Sequence, residues 1–348
     1  MLFKRVGFPI VCTSALLTGC GGSGSSTAPL PGSSAMLQAQ QSMQATRLVQ
    51  SARADVRFGL NRAMLDEALT THGDGSVPDA ATKKPILFVS DLDAQTIRLY
   101  PADTTNPSQE GSITEGLDEP INVAVDTAGT LYVANNGNNT VTEYKLGATK
   151  PSVTLSTSLV YPNGIAVDSE GTVYVTSGSS VGSCYVLEFP KGATKPSVQV
   201  NGFGLPVGLA VDKDDNLYVG DATGNVVWKV AKGSKTPVKL KLTGLADPTG
   251  VAVSPSNDLY VSNEDPGSEG GDKVFGFVLG KTKPFATITS ELNGPYAIGF
   301  QGNGTLFVGN GSNNPGYITG YKQAKTMPFE MFTGGLGNPV GIAVYSAP

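Results

Sequence analysis

Side chains suited to chemistry are few in this chain. His72 is its only imidazole, and its three cysteines are Cys12, Cys20 and Cys184. Zinc sites built on His clusters and two-His iron sites need more imidazole than this, and Ser-His catalysis would have one base to draw on. His72 lies in Thr71-His72-Gly73-Asp74-Gly75, a turn-rich stretch that reads as surface. Two local patterns imitate active sites. Gly178-Ser179-Ser180-Val181-Gly182 matches G-x-S-x-G, but that elbow works on a strand-turn-helix with a histidine partner. Asp212-Lys213-Asp214-Asp215-Asn216 begins like a calcium loop, yet the Gly and the distal Glu of an EF-hand are missing.

Charge narrows the choice further. Lys and Arg number 24 against 29 Asp and Glu, a net charge of -5. No basic stripe is available to neutralise phosphates, so a nucleic-acid partner is not expected. An anionic membrane surface is a poor electrostatic partner for the same reason.

The elements that must position these side chains are short. With 44 Gly, 23 Pro and only 15% charged residues, the composition favours many strands joined by many turns and excludes a long helical array. From Lys84 onward the chain repeats. An aliphatic-aromatic-Val triplet recurs at Leu87-Phe88-Val89, Leu131-Tyr132-Val133, Val173-Tyr174-Val175, Leu217-Tyr218-Val219, Leu259-Tyr260-Val261 and Leu306-Phe307-Val308, in steps of 44, 42, 44, 42 and 47 residues. A second anchor opens with Pro and runs into an aliphatic strand, as in Pro162-Asn163-Gly164-Ile165-Ala166-Val167-Asp168 and Pro206-Val207-Gly208-Leu209-Ala210-Val211-Asp212.

A period in the low forties with four short strands per unit is that of propeller blades. The Pro-led strand, small and aliphatic, suits the crowded position nearest the axis. The Leu-Tyr-Val strand follows it, then a third typified by Thr140–Lys145, then an outer one after turns such as Lys191–Pro196. The first unit lacks a Pro-led strand, whereas Val340–Val344 is a Pro-led strand with no triplet after it. Pairing Val340–Val344 with Ile86–Ser90 closes the ring and removes an open sheet edge. The expected fold is all-β, a six-bladed propeller over 84–348.

These units resemble NHL repeats, which join a Pro-x-Gly-aliphatic strand to a Gly-x-Leu-Tyr-Val strand. The resemblance covers about three-quarters of the chain and speaks for fold more than function, since such propellers host enzymes, RNA binders and scaffolds alike. The gluconolactonase-like relatives hold a divalent metal over the channel, with ligands from the position after the inner-strand Pro. Here those positions are Ile121, Asn163, Val207, Thr249, Tyr296 and Val340, and Asn163 alone could ligate a hard cation that wants about six oxygens.

Polar residues end the second strands: Asp91, Asn135, Ser177, Asp221, Asn263 and Asn310. Each can cap a turn through its side chain. Alternatively, Asp91, Asn135, Asp221, Asn263 and Asn310 join Asn163, Thr249 and Tyr296 at the channel mouth in one ligand-binding face. That face would also carry the loops Glu264–Asp272, which is acidic, and Gly311–Gly316.

Ahead of the propeller, Lys4 and Arg5 precede a short apolar run ending in Leu17-Thr18-Gly19-Cys20. This layout is that of a secretory signal, and its end resembles the lipobox of bacterial lipoproteins. The resemblance implies cleavage after residue 19 and acylation of Cys20, with Gly21 favouring the outer membrane. Loss of Lys4 and Arg5 leaves 22 basic residues against 29 acidic ones, so acyl chains rather than charge would hold the chain to a membrane. The Gly/Ser/Pro run over 20–34 reads as a linker. Residues 35–83 read as a helical or partly disordered segment, with Leu48, Ala52, Val56, Leu60, Met64 and Ala68 at steps of four. Cys184 is then the only cysteine in the folded part and is expected to act as a buried apolar residue.

The function expected is a non-enzymatic, lipid-anchored binding or scaffold module for a protein or glycan, with no cofactor. The competing expectation is a hydrolase using calcium in the channel. Cys20→Ala is expected to move the protein from the membrane to the soluble fraction, as read by fractionation and immunoblotting. Continued membrane attachment would contradict the anchor.

Overall fold

The computed structural model describes residues 84–264, 271–312, 315–322, 325–333 and 335–346. The signal, linker and helical segment expected over 1–83, and parts of the two long loops, lie outside those residues. Within them, 24 strands form six four-stranded antiparallel sheets.

Blade one combines β24 (Pro339–Tyr345) with β1 (Ile86–Asp91), β2 (Thr96–Pro101) and β3 (Gly111–Ile113). Blade two is β4 (Pro120–Val125), β5 (Leu131–Asn135), β6 (Thr140–Tyr144) and β7 (Val153–Leu155). Blade three is β8 (Ile165–Val167), β9 (Val173–Ser177), β10 (Cys184–Phe189) and β11 (Val198–Phe203). Blade four runs through β12 (Pro206–Val211), β13 (Leu217–Asp221), β14 (Val226–Val230) and β15 (Val238–Lys239). Blade five holds β16 (Pro248–Val253), β17 (Asp258–Asn263), β18 (Lys273–Val278) and β19 (Ala286–Ile288). Blade six holds β20 (Pro295–Phe300), β21 (Leu306–Asn310), β22 (Tyr317–Tyr321) and β23 (Glu330–Phe332). The closure expected from the unmatched strands is present: Leu87 pairs with Val344, Phe88 with Ala343 and Val89 with Ile342.

Burial explains why the second strands read as unbroken apolar runs rather than alternating ones. All residues of β1, β5, β9, β13 and β21 are buried, because each blade is covered on both faces by a neighbour. The core is accordingly divided into six clusters, each shared between adjacent blades. Phe88 and Ile97 of blade one meet Val133 and Tyr144 of blade two, and Phe307 and Ile318 of blade six meet Leu87 and Tyr100 of blade one. Each buried Leu, Val or Phe contributes roughly 1.5–3 kcal/mol over exposure, so the interfaces between blades carry most of the stability.

Near the axis, space is limited enough to select glycine. A Cβ on Gly208 would sit 2.5 Å from the Thr249 carbonyl oxygen and 2.8 Å from the Val251 nitrogen. Both are backbone atoms of the next blade and cannot swing aside. Gly250 stands in the same relation to the Tyr296 carbonyl. The glycine of the Pro-x-Gly motif is therefore a requirement of inner-strand approach, not of turn formation.

The turn from first to second strand explains another recurring spacing. Oδ1 of Asp168 accepts hydrogen bonds from the Glu170 N–H (3.0 Å) and the Thr172 N–H (2.7 Å), while Oδ2 accepts from the Tyr174 hydroxyl at 3.1 Å. Asp126 and Asp212 repeat the arrangement with Tyr132 and Tyr218. Aspartate at the turn and tyrosine six residues on are thus one unit, and Asp212-Lys213-Asp214-Asp215-Asn216 is such a turn. Burial pushes the Asp212 carboxyl up, but bonds from Asn216, Tyr218 and the Asp214 N–H outweigh it and hold the group below its ordinary value. Stability from a lowered carboxyl is present above the unfolded-state pKa near 3.9 and is lost as pH falls through the folded one. Asp212→Ala is expected to cost about 2–3 kcal/mol at neutral pH by leaving these donors unpaired. In urea denaturation the gap to the parent should narrow as pH drops below about 4.

Candidate functional site

Inner strands begin, and second strands end, at the same rim of the propeller, so this rim collects the blade-to-blade connections. The polar residues closing the second strands lie here, but under the surface. Asp91, Asn135, Asp221, Asn263 and Asn310 are at most 1% exposed. Oδ1 of Asn135 accepts the Asp118 N–H, that of Asn263 the Ala246 N–H, and that of Asn310 the Asn293 N–H. Asp221 accepts the Gly204 and Leu205 N–H groups at 2.7 and 2.9 Å and the indole N–H of Trp228 at 3.0 Å. Asp91 accepts from Gly337 and Asn338 and pairs with Arg98 at 2.8 Å. These five, expected on a ligand-binding face, lie beneath the surface of that rim. Their acceptor atoms are committed to backbone amides of the incoming connection, which would otherwise be buried without partners.

The channel mouth divides differently. Ile121, Val207 and Val340 are buried. Thr249 is buried too, with its hydroxyl donating to the Pro295 carbonyl at 3.1 Å and lying 3.1 Å from Ser262 Oγ. It joins blades five and six. Asn163 and Tyr296 remain half-buried, and they meet. Asn163 Nδ2 lies 3.2 Å from the Tyr296 hydroxyl, which lies 3.4 Å from Asn163 Oδ1. These residues come from blades three and six, which stand opposite one another in the ring, so an amide–phenol pair spans the axial channel.

Around that pair lie neutral polar groups. Asn122 Nδ2 reaches Asn163 Oδ1 at 3.5 Å, and Asn136 donates to the Pro162 carbonyl at 3.3 Å. Tyr161 is 45% exposed with φ 46°, held by donation of its N–H to Asn139 Oδ1 at 2.6 Å. Burial pushes the Tyr296 hydroxyl up to about 12, with Asn163 opposing and Glu264 and Asp247 adding to the rise. It is a neutral phenol across the physiological range. Glu264 is itself pushed up by burial and by Asp247 and Asp272.

Asn163 and Tyr296 by themselves are not the ligand set of a divalent cation. Among the described residues, no three His, Cys, Asp or Glu side chains gather in a metal-holding group. The oxygens of Asn163 and Tyr296 are an amide and a phenol already bonded to each other, whereas calcium takes 6–8 oxygens, several of them carboxylates. Ser179 and Ser180 sit exposed in the connection from β9 to β10, a strand-turn-strand and not the strand-turn-helix of a nucleophile elbow. The Cys184 thiol is buried, lies 3.3 Å from the Ser180 carbonyl oxygen, and is pushed up by burial and by Asp221. A protonated, covered thiol is a poor nucleophile.

The opposite rim holds a feature that the motif reading did not single out. Near the end of each inner strand one apolar residue, Val125, Val167, Val211, Val253, Phe300 or Val344, is half-buried. Beside Val211, Val253 and Phe300 lies an open depression of about 310 Å³, bordered by Lys213, Asn257 and Gln301. The signal was present as an apolar residue preceding each turn, but burial on one side only is invisible in a residue type.

No family model and no curated protein matches the chain. Solved structures do. A protein of unknown function from Bacteroides caccae is similar with a TM-score of 0.58 at 13% identity, covering 75% of this chain and 99% of its own. A chain from a nidogen/laminin complex matches with a TM-score of 0.58 at 16% identity, covering 75% and 98%. A functionally unknown protein from Desulfotomaculum acetoxidans matches with a TM-score of 0.53 at 13% identity, covering 73% and 82%. At such identities the likeness concerns the six-bladed fold alone.

The partition between buried clamp and half-open mouth is measurable. Asp221→Ala is expected to cost about 3 kcal/mol in chemical denaturation, because several buried donors lose one acceptor. Asn163→Ala should cost less than about 1 kcal/mol, since its partner Tyr296 can turn to water.

Proposed function

We propose that the protein is a non-enzymatic binding module of a bacterial cell envelope, held by a lipid on Cys20 and engaging a protein or glycan at the channel mouth. The observation that carries this reading is the amide–phenol pair of Asn163 and Tyr296 spanning the channel. With Asn122, Asn136 and exposed Tyr161 nearby, the mouth offers donors, acceptors and an aromatic face without a formal charge at its centre. Such a set matches hydroxyl and amide groups, which are the polar surface of sugars and of peptide backbone. Neither the Asn163 amide nor the neutral Tyr296 phenol is a base or an activated nucleophile of the kind hydrolysis uses.

The lipobox-like Leu17-Thr18-Gly19-Cys20 and the Gly/Ser-rich stretch after it support a tethered propeller, and Gly21 supports the outer membrane. The likeness of the repeated Pro-x-Gly and Leu-Tyr-Val strands to NHL repeats belongs to the same reading. The fold also occurs in a chain of a nidogen/laminin complex, so a six-bladed propeller can take part in protein–protein assembly.

A glycan array and an envelope-protein capture experiment, run in parallel, test this. One of them should return a ligand whose affinity falls about tenfold or more for the double variant Asn163→Ala/Tyr296→Ala, a loss of about 1.4 kcal/mol. An equal affinity for the double variant would sink the assignment of the mouth. Lactone turnover that disappears with a chelator would place the protein among metal-dependent hydrolases instead.

A further inference from the structure

Seven large apolar side chains are exposed among the described residues, and three belong to one segment at alternate positions: Met327, Phe329 and Met331, at 67%, 39% and 50%. They project from the outer edge of blade six, while Glu330 and Phe332 between and after them are buried. Comparison with the other blades shows that this is not how the unit is normally finished. The N–H groups of Ser152, Ser197, Phe285 and Phe329 each donate to the corresponding carbonyl of the third strand, at Glu143, Glu188, Gly276 and Gly320, so these residues are equivalent. Two positions before them stand Lys150, Lys195, Lys283 and Met327, and two after them Thr154, Gln199, Thr287 and Met331. Lysine, a small or aromatic residue, and a polar residue have become Met, Phe and Met in blade six alone of these four. Blade five also exposes Phe285 at the middle position, but among these four blades only blade six is apolar at all three, and such a contiguous apolar strip marks a covered site.

The geometry points to an occupant from the same chain: the 35–69 stretch docks on the Met327–Phe329–Met331 strip. Three observations select it. The chain reaches the propeller beside the strip: the Pro85 carbonyl accepts the Ala102 N–H at 3.0 Å. Ala102 in turn lines, with Phe329, Lys322 and Glu330, a recess of about 150 Å³ at the junction of blades six and one. The 35–69 stretch carries an apolar stripe at steps of four, Leu48, Ala52, Val56, Leu60, Met64 and Ala68, which as a helix would need a partner surface. Fourteen residues, 70–83, separate the stretch from the propeller; a chain of that length spans roughly 20 Å on average and sets a millimolar effective concentration.

Charge agrees with this placement. Over 35–69, Arg47, Arg53, Arg57 and Arg62 outnumber Asp55, Asp66 and Glu67, with the excess concentrated between 47 and 62, whereas residues 84–348 carry 17 basic and 24 acidic side chains. Long-range attraction therefore brings stretch and propeller together, and the Met-rich strip supplies an adaptable apolar contact.

The test uses the anchored chain in lipid nanodiscs. A benzophenone amino acid placed at position 331 should cross-link, within one chain, to peptides of 35–69. In parallel, trypsin should cut after Arg53, Arg57 and Arg62 about tenfold faster in Met331→Glu than in the parent, with the propeller's melting temperature unchanged. Cross-links to a second copy or to lipid, no cross-link at all, or equal cleavage rates in the two proteins would each overturn the proposal. None of these outcomes bears on the channel mouth, so the two readings stand or fall separately.

Discussion

Everything in this propeller depends on one antiparallel pairing, that of β24 with β1. Five blades are built from consecutive strands and need only local turns, but a ring of five and a part would leave inner and second-strand edges open. Pairing Ile86–Asp91 with Pro339–Tyr345 supplies the missing inner strand. Asp91 then secures the junction from the side by accepting the Gly337 and Asn338 N–H groups. Once the ring is shut, each blade is covered on both faces, and the six shared clusters become one continuous annulus. Stability is cooperative for a geometrical reason: no blade owns its core.

The same closure sets what the two rims can offer. At the rim where inner strands begin, backbone amides of the connections point inward and must be satisfied. The residue ending each second strand does this, as Asn135 does for Asp118 and Asn263 for Ala246. Across the axis, Asn163 and Tyr296 have side chains long and polar enough to meet, with Asn122 reaching the same amide.

How much of this was legible in the sequence follows from what kind of information each feature needs. The fold was readable because the anchor triplets and Pro-led strands recur at a nearly constant step, and because an unmatched strand at each end of the repeat can be paired only one way. The turns were readable for the same reason, and Asp212-Lys213-Asp214-Asp215-Asn216 was separable from a calcium loop by its copies at Asp126 and Asp168. The site was legible only in part. Asn163, Thr249 and Tyr296 share a motif position, yet Thr249 turns toward Pro295 and Ser262 while the other two bridge the channel; rotamer and blade position decide this, and neither is written in residue type. The buried polar ring was legible as a set but not in its direction, because an Asp or Asn that caps a neighbouring connection has the same identity as one that greets a ligand.

The distance along the chain between the two closing strands has a consequence for how the molecule comes into being. β1 is made first and waits for a partner about 250 residues away, a contact of high sequence separation that forms late and slowly. Until residues 339–345 have been added, every nascent or truncated product exposes the β1 edge and the unfilled side of blade six. The final strand therefore acts as a completeness check on biosynthesis: only a chain made to its closing strand can hide its edges, and anything shorter stays open to proteases and chaperones.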